Sequence, residues 1–455
     1  MNKTLSLILI LSLFIFQACN EQTNELDNQQ PNTPSDEESI ANRNSINLNI
    51  YGQMNDVYLW RTEMPLLSNL DTAQNPRSFF DHLIYKEDDR WSYITDEYQT
   101  FVNSLQGIEK SFGFQILPYL KASDSDEIIG EIAFVEPNTP ASEVEIKRGE
   151  RIVKVNGSTI NRDNYIELLY ETDPMNLTLQ QVNAQGLVLS EREVSISGVE
   201  LQSDPFLINK TIEYGGRKIG YLVFNSFIHE TFDEKLQNIF DDFKGQGVTE
   251  FILDLRYNSG GSVKTANMLA DLLAPSMYDG ALFTQKIWND RYNEYFIQEE
   301  GENSEALKDF ISQNRNNLEL SRLYIITDRY TASASELIIN GLSPYLNVIL
   351  VGRTTAGKYT ASITLQNDVD ENWAIQPIVY KSANALGNTD YGDGFIPLFE
   401  VRDDFQHQLG DPEEARLATA LSDITGIAAR KTFDQSTIRE SLPIPKDDRM
   451  FDELK

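Results

Sequence analysis

The chain has one cysteine and three histidines in 455 residues, and each scarcity removes a class of chemistry. A single thiol, Cys19, cannot close a disulfide within the chain. The histidines, His82, His229 and His407, stand in unrelated surroundings, and none lies in a glycine-flanked loop beside a candidate serine. A Ser-His-Asp triad therefore has no support in the sequence. No cluster of Cys, His and carboxylate has metal-ligand spacing, and the residues require no cofactor. Asp88-Asp89 and Asp403-Asp404 read as solvated turn residues. Basic residues are also few: 38 Lys and Arg face 70 Asp and Glu, a formal charge of −32, which repels nucleic acid and anionic lipid surfaces. The apolar stretch Leu5 to Phe16 is too short to be a comfortable membrane span.

That stretch follows the charged start Met1-Asn2-Lys3 and has the form of a signal peptide, so removal of residues 1–18 is expected. It ends in Phe16-Gln17-Ala18-Cys19, which resembles a bacterial lipobox with Cys19 as the lipidated residue, although Phe16 stands where leucine is commoner. The expectation is a protein held on a bacterial cell-envelope membrane by a lipid anchor alone. Residues 19–45 are rich in Asn, Gln, Glu, Asp, Pro and Ser without apolar periodicity, and are expected to form a disordered tether. Beyond them, 40% hydrophobic and 10% aromatic content supports packed cores.

Three regions follow. In 46–106, Ile46, Ile50, Met54 and Val57 recur at helical spacing, Pro76 opens a second helix with Phe79, Phe80 and Leu83 inward, and Tyr98, Phe101, Val102 and Leu105 form a third face. This predicts a small helical domain, with Asp88-Asp89-Arg90-Trp91 as a turn between helices. From 107 to 200 short alternating strands predict a β-rich module, and Glu136 to Ser142 with Ile146-Lys147-Arg148-Gly149-Glu150 resemble the loop, short helix and glycine turn of PDZ domains. In such domains a glycine-containing loop offers backbone N–H groups to a peptide's terminal carboxylate, and Phe112, Gly113 and Phe114 fit that loop. Residues 206–425 alternate strand and helix, with a polar insertion, Phe283 to Leu320, read as lying over the sheet. Residues 426–455 form a tail.

The most informative segment is Thr331-Ala332-Ser333-Ala334-Ser335-Glu336, preceded by the β-branched run Leu323 to Thr327 and followed by an apolar helical run. Small residues here suit an ordinary helix cap. A serine on a strand-turn-helix junction also stands at the carboxyl end of a sheet, where the positive helix terminus faces a developing oxyanion. Gly357-Lys358 follows, with Lys358 twenty-five residues past Ser333. Lysine can activate serine if desolvation lowers its pKa. A second sheet-to-helix turn, Arg256 to Gly261 after the buried strand Phe251 to Leu255, is glycine-rich and allows close backbone approach to a ligand.

Together these residues resemble the C-terminal processing, or tail-specific, peptidases: PDZ-containing serine proteases with a crotonase-like (ClpP/crotonase) α/β catalytic core. The likeness spans roughly residues 50–425 and rests on Asp254-Leu255-Arg256 with Gly260-Gly261, the Ser333 segment, Gly352 with Gly357-Lys358, and Gly394-Phe395-Ile396-Pro397. The resemblance implies a multidomain α/β protein with Ser333 as nucleophile, Lys358 as general base, and the amides of Ala334 and Gly261 as oxyanion hole. Its implied substrates are protein or peptide C-termini. Many members of that family carry a glutamine four residues after the lysine; Ser362 occupies that place here and is the candidate third member.

Two rivals are weighed against this. Gly352 to Lys358 satisfies most of a Gly-x4-Gly-Lys phosphate loop, but Tyr359 replaces the Mg²⁺-binding Ser or Thr, and Tyr359 to Leu365 reads as strand rather than helix. The other is a degenerate protease that captures envelope peptides or glycans without cutting them, which the absent glutamine keeps open.

Overall fold

A computed structural model describes residues 36–228, 232–312, 316–428 and 441–444. The expected signal segment, Cys19 and His229 lie outside the described residues. The first helix, Asp36–Val57, begins within the segment expected to be a tether, so residues 36–45 are helical. Ile46, Ile50 and Met54 anchor that helix in an aromatic cluster, and propagating a nucleated helix backwards costs little. Among the described residues no helix is long and apolar enough to cross a membrane.

The second helix, Pro76–Leu83, is capped by Asn75, whose side chain accepts the Arg77 N–H, and buries Phe79, Phe80 and Leu83. Asp89, expected to be solvated, is buried instead. One of its oxygens accepts from Tyr58 Oη at 2.7 Å, and the other accepts the N–H groups of Trp91 and Ser92, both at 2.9 Å. A carboxylate so used shapes the loop and fixes where Trp91 points.

In the β-rich module, Phe114–Leu120, Ile128–Val135, Glu150–Val155, Met175–Val182 and Val188–Ile196 lie side by side in that order, all antiparallel. Phe114–Leu120 is an edge strand. Alternate residues of these strands, Ile116, Ile132, Ile152 and Leu177 among them, fill one core.

The larger region has a six-stranded sheet in the order Phe206–Tyr214, Arg217–Phe224, Glu250–Asp254, Arg322–Thr327, Asn347–Gly352, Phe399–Glu400. Its first pair is antiparallel and the rest are parallel. Leu222, Leu253 and Ile325 face one side and pack on the helices Asp233–Gly245, Val263–Leu273 and Ala334–Leu342. Tyr221, Ile252 and Ile326 face the other, against the helix Ala415–Thr425 and Leu117, Ala133 and Phe134 of the module.

The crotonase-like core expected for this region is not what forms. Leu282–Trp288 and Ile378–Ala383 pair antiparallel with each other instead of extending the parallel sheet, and with Lys308–Phe310 and Thr360–Ser362 they build a separate four-stranded sheet. The insertion Phe283 to Leu320 is thus partly structural core: Phe283 is fully buried and Trp288 nearly so.

Asp404 is also buried rather than solvated, and the Asp403 side chain nearly so. The fully buried Arg256 bonds Asp254, Asp403 and Glu414, each at 2.8 Å. Arg148 reaches in from the module to Asp403 and to Tyr257 Oη, both at 2.7 Å. Burial alone would raise the Asp403 carboxyl, but the guanidinium groups of Arg148, Arg256 and Arg416 hold it well below the usual range. Glu414 is likewise lowered, by Arg256 against its burial.

Candidate active site

Ser333 ends the turn after strand Arg322–Thr327 and opens helix Ala334–Leu342. An ordinary cap has extended backbone angles, whereas Ser333 has φ 65° and ψ −116°. A non-glycine residue held there costs about 1–3 kcal/mol and persists only where its surroundings enforce it. Capping alone does not require this geometry. The Ser333 hydroxyl is buried and, among the described residues, has no hydrogen-bond partner; such an atom asks for an explanation beyond packing.

The turn is held from three sides. Thr331 Oγ1 donates to the Leu255 carbonyl at 2.8 Å, while Ala332 N–H and Ser335 Oγ both donate to the Asn258 carbonyl at 3.1 Å. Asn258 in turn accepts the Gly260 N–H at 2.8 Å, which fastens the glycine turn to the serine turn. Gly260 and Gly261 have φ of 109° and 134°, in the region that favours glycine. A Cβ on Gly260 would lie 2.7 Å from Ser333 Cβ and 3.0 Å from the Ala334 amide nitrogen. The two backbone segments expected to form an oxyanion hole are therefore in contact.

Lys358 is fully buried, and its loop is tied to the serine turn by Ala356 N–H donating to the Thr331 carbonyl at 3.0 Å. The principal link is Glu336, also fully buried. One carboxylate oxygen accepts from Ser333 N–H at 2.9 Å and Lys358 N–H at 2.7 Å. The other accepts from Gly357 N–H at 2.7 Å and Thr355 Oγ1 at 2.6 Å. Because one oxygen binds both amides, the Ser333 and Lys358 side chains start from neighbouring points. Burial raises the Glu336 carboxyl above its ordinary range, opposed by those four donors.

Lys358 Nζ lies 5.4 Å from the centroid of the Trp91 ring, so the helical domain supplies a cover of cation–π type over the lysine. Arg90 secures that loop by donating to the Gly392 carbonyl at 2.9 Å. Ser362 is buried on the strand Thr360–Ser362, beyond Lys358.

Sequence reasoning missed Glu336 and Trp91 as site residues. The spacing of Ser333 and Glu336 is that of a capping box, a signal for one of the four Glu336 bonds; its reach to the Lys358 loop, through the other three, leaves no local mark. A lone Trp in a polar turn was the trace of the other.

The expected peptide loop behaves differently. Gly113, with φ 82°, donates its N–H to Ser111 Oγ at 3.1 Å, and the rings of Phe112 and Phe114 stack 5.6 Å apart. The loop stands at the start of the edge strand Phe114–Leu120, with the Gly113 amide already engaged.

Comparison with known proteins places this arrangement. Peptidase family S41 matches residues 218–396, and the peptidase S41 N-terminal domain matches residues 45–93, together half of the chain. The chain belongs to peptidase family S41. It is 26% identical over 313 residues to the carboxy-terminal processing protease CtpA of Bacillus subtilis, covering 67% of this chain and 60% of that protein. It is 28% identical over 240 residues to carboxyl-terminal-processing peptidase 3, chloroplastic, of Arabidopsis thaliana, covering 50% of this chain and 43% of the other. The chain thus spans roughly half the length of these relatives. A solved structure described as an S41 protease from Bacteroides fragilis superposes with a TM-score of 0.69 at 28% identity, over 83% of this chain and 97% of that one. That likeness identifies the architecture as that of S41 peptidases with a PDZ-like module, in place of the crotonase-like fold.

Proposed function

We propose that the protein is a serine endopeptidase acting on protein or peptide substrates through their C-terminal regions, with Ser333 as nucleophile and Lys358 as general base. The observation that carries this reading is the Ser333 hydroxyl: buried, without a partner, on a strained backbone at a helix N-terminus, and coupled through Glu336 to the lysine loop. Ser333 Oγ attacks the scissile carbonyl as Lys358 takes its proton, the amides of Ala334 and Gly261 receive the oxyanion, Lys358 returns the proton to the leaving amine, and water hydrolyses the acyl-enzyme. Ser362 assists in orienting Lys358. The Phe112-Gly113-Phe114 loop and its edge strand take the substrate's extended end.

Neither Ser333 nor Lys358 is accessible to solvent, so substrate entry requires the covering residues, Trp91 among them, to move. This conformation is the closed form of the enzyme. Lipidation of Cys19 would hold the enzyme on a bacterial envelope membrane, on its periplasmic or its surface side; palmitate incorporation that survives Cys19→Ala would refute that part alone. For the activity, peptides differing only at their C-termini are incubated with wild type, Ser333→Ala and Lys358→Ala. The expectation is C-terminus-dependent cleavage by wild type and loss of at least ~10³ in rate for either variant. Cleavage that persists in Ser333→Ala disproves the assignment.

A further inference from the structure

The edge strand of the β-module is not bare. Leu442 N–H donates to the Pro118 carbonyl at 2.9 Å, and Ser441 pairs antiparallel with Tyr119. The segment Ser441–Ile444 therefore lies along Phe114–Leu120 and runs towards the Phe112-Gly113-Phe114 loop. The Leu442 side chain, 6% exposed, enters the module's own core beside Ile116, Leu120 and Leu169. Tyr165 Oη donates to the Pro443 carbonyl at 3.1 Å. An added strand that gives main-chain bonds to an edge and a side chain to a pocket is the mode by which such modules hold peptides.

The same segment is gripped from the catalytic region. Arg329, in the turn just before Ser333, donates to Ser441 Oγ and to the Leu442 carbonyl, the latter at 3.2 Å. Ser441–Ile444 also forms one wall of a cavity of about 500 Å³ whose other walls include Trp91, Ser259, Thr355 and Ala356. Those residues adjoin the Gly260 turn and the Lys358 loop. The segment thus stands between the module's groove and the buried pair.

Its hold is short. The next ladder acceptor, the Ile116 carbonyl, is occupied by Tyr170 Oη at 3.2 Å and Gln115 Nε2 at 3.1 Å, and Pro443 has no N–H to donate. Within the described residues 441–444, the Leu442 ladder bond, one leucine pocket and the side-chain bonds from Arg329 and Tyr165 make a short grip that another peptide can displace.

We infer that Ser441–Ile444 is a ligand the chain supplies to its own β-module, an internal competitor that a substrate must displace from the groove. The inference rests on the peptidase reading only for what the displacing ligand is: an extended peptide with leucine, or a side chain of similar size, in the Leu442 seat and a backbone carbonyl for Arg329.

The test uses the full chain carrying Ser333→Ala, so that no peptide is cut, and a fluorescein-labelled peptide with the sequence of residues 440–446. Binding is read by fluorescence anisotropy with and without Leu442→Asp. Removing a buried leucine from the competitor is expected to tighten peptide binding roughly tenfold or more. Equal binding to both forms, or binding to neither, overturns the inference. A second form guards against misfolding: Tyr119→Cys with Ser441→Cys, in a Cys19→Ser background, locks the segment on oxidation. Peptide binding should vanish on oxidation and return on reduction; binding indifferent to the lock overturns the inference. Because both readouts are binding, they separate from the peptidase question. Competition without cleavage by the wild-type protein sinks the peptidase reading alone, and cleavage without competition sinks the internal ligand alone.

Discussion

Replacing Glu336 by glutamine changes one oxygen into an amide nitrogen and leaves the shape nearly intact, yet four donors face this carboxylate. With its nitrogen towards Ser333 and Lys358 the amide deprives two N–H groups of their acceptor; turned the other way it deprives the Gly357 N–H alone, since the Thr355 hydroxyl can accept instead. Bonds to a charged group contribute about 1.5–3 kcal/mol each, so one or two broken bonds cost about 1.5–6 kcal/mol, and those that remain lose their charge. Part of this is offset, because burial of the carboxylate is itself unfavourable, as its raised pKa indicates. The damage falls on the two loops rather than on the sheet, whose strands keep their own ladders. If about 3 kcal/mol of it appears as misplacement of Ser333 relative to Lys358, kcat falls by ~10² at roughly 1.4 kcal/mol per decade. Steady-state kinetics on a cleaved peptide should therefore show kcat reduced about a hundredfold with little change in KM, while circular dichroism and the urea midpoint confirm a folded protein. The pH profile supplies a second readout. Protonation of the Lys358 base sets an acid limb in both forms, and the wild-type kcat should show a further fall at a pH above the ordinary carboxylate range as Glu336 is protonated; only that further fall should be absent in Glu336→Gln. A folded Glu336→Gln with kcat within about threefold of wild type would refute the staple.

Gly260→Ala places a Cβ 2.7 Å from Ser333 Cβ at a φ of 109°, and should lower kcat/KM at least ~10-fold, in keeping with about 1–3 kcal/mol of strain, in a protein whose far-UV spectrum is unchanged. Arg256→Ala leaves Asp254 and Glu414 buried without that cation and Asp403 with Arg148 alone and should cost about 3–5 kcal/mol in urea unfolding; Lys86→Ala, which breaks an exposed pair with Asp81, should cost almost nothing. Asp403 and Glu414 have lowered carboxyl pKa values, so their stabilisation is complete above the unfolded values near 4 and drains away as pH falls below them; a melt series from pH 7 to 3 should fall less steeply for Asp403→Asn. Asp271 has the opposite sign, since burial pushes its carboxyl up to about 6. Its ionised form is a burden above that pH, and Asp271→Asn should raise the melting temperature at pH 7.5 by a degree or two, about 1 kcal/mol after allowing for partial exposure, with the gain gone by pH 4.

Much of the site was legible because it is local. A β-branched run, small residues and an apolar helix placed Ser333 on a strand-turn-helix junction, and the structure has strand Arg322–Thr327 and helix Ala334–Leu342 there. Gly260 and Gly261 were recognisable because few other residues allow such an approach. What stayed hidden depends on partners far along the chain. Asp89 and Asp403 look like turn residues until Tyr58 and the arginines Arg148 and Arg256 come up against them, and Trp91 meets Lys358 across most of the sequence. Residues 36–45 lack a stripe of their own and are helical by continuation from Ile46 onward. The crotonase-like expectation came from likeness alone, and no residue pattern foretold that Leu282–Trp288 would pair with Ile378–Ala383 in a second sheet.

The arginine at position 148 has a consequence for how this protein can be taken apart. It belongs to the module by sequence but completes a charge cluster inside its neighbour, so separating the two halves would leave Asp403 with Arg256 alone and take from Arg148 its carboxylate partner. The module is therefore no bead on a string. Grafting in another domain of the same shape would fail unless it carried a guanidinium at the same corner, and any hinge motion that admits substrate must pivot around that corner rather than pull it open.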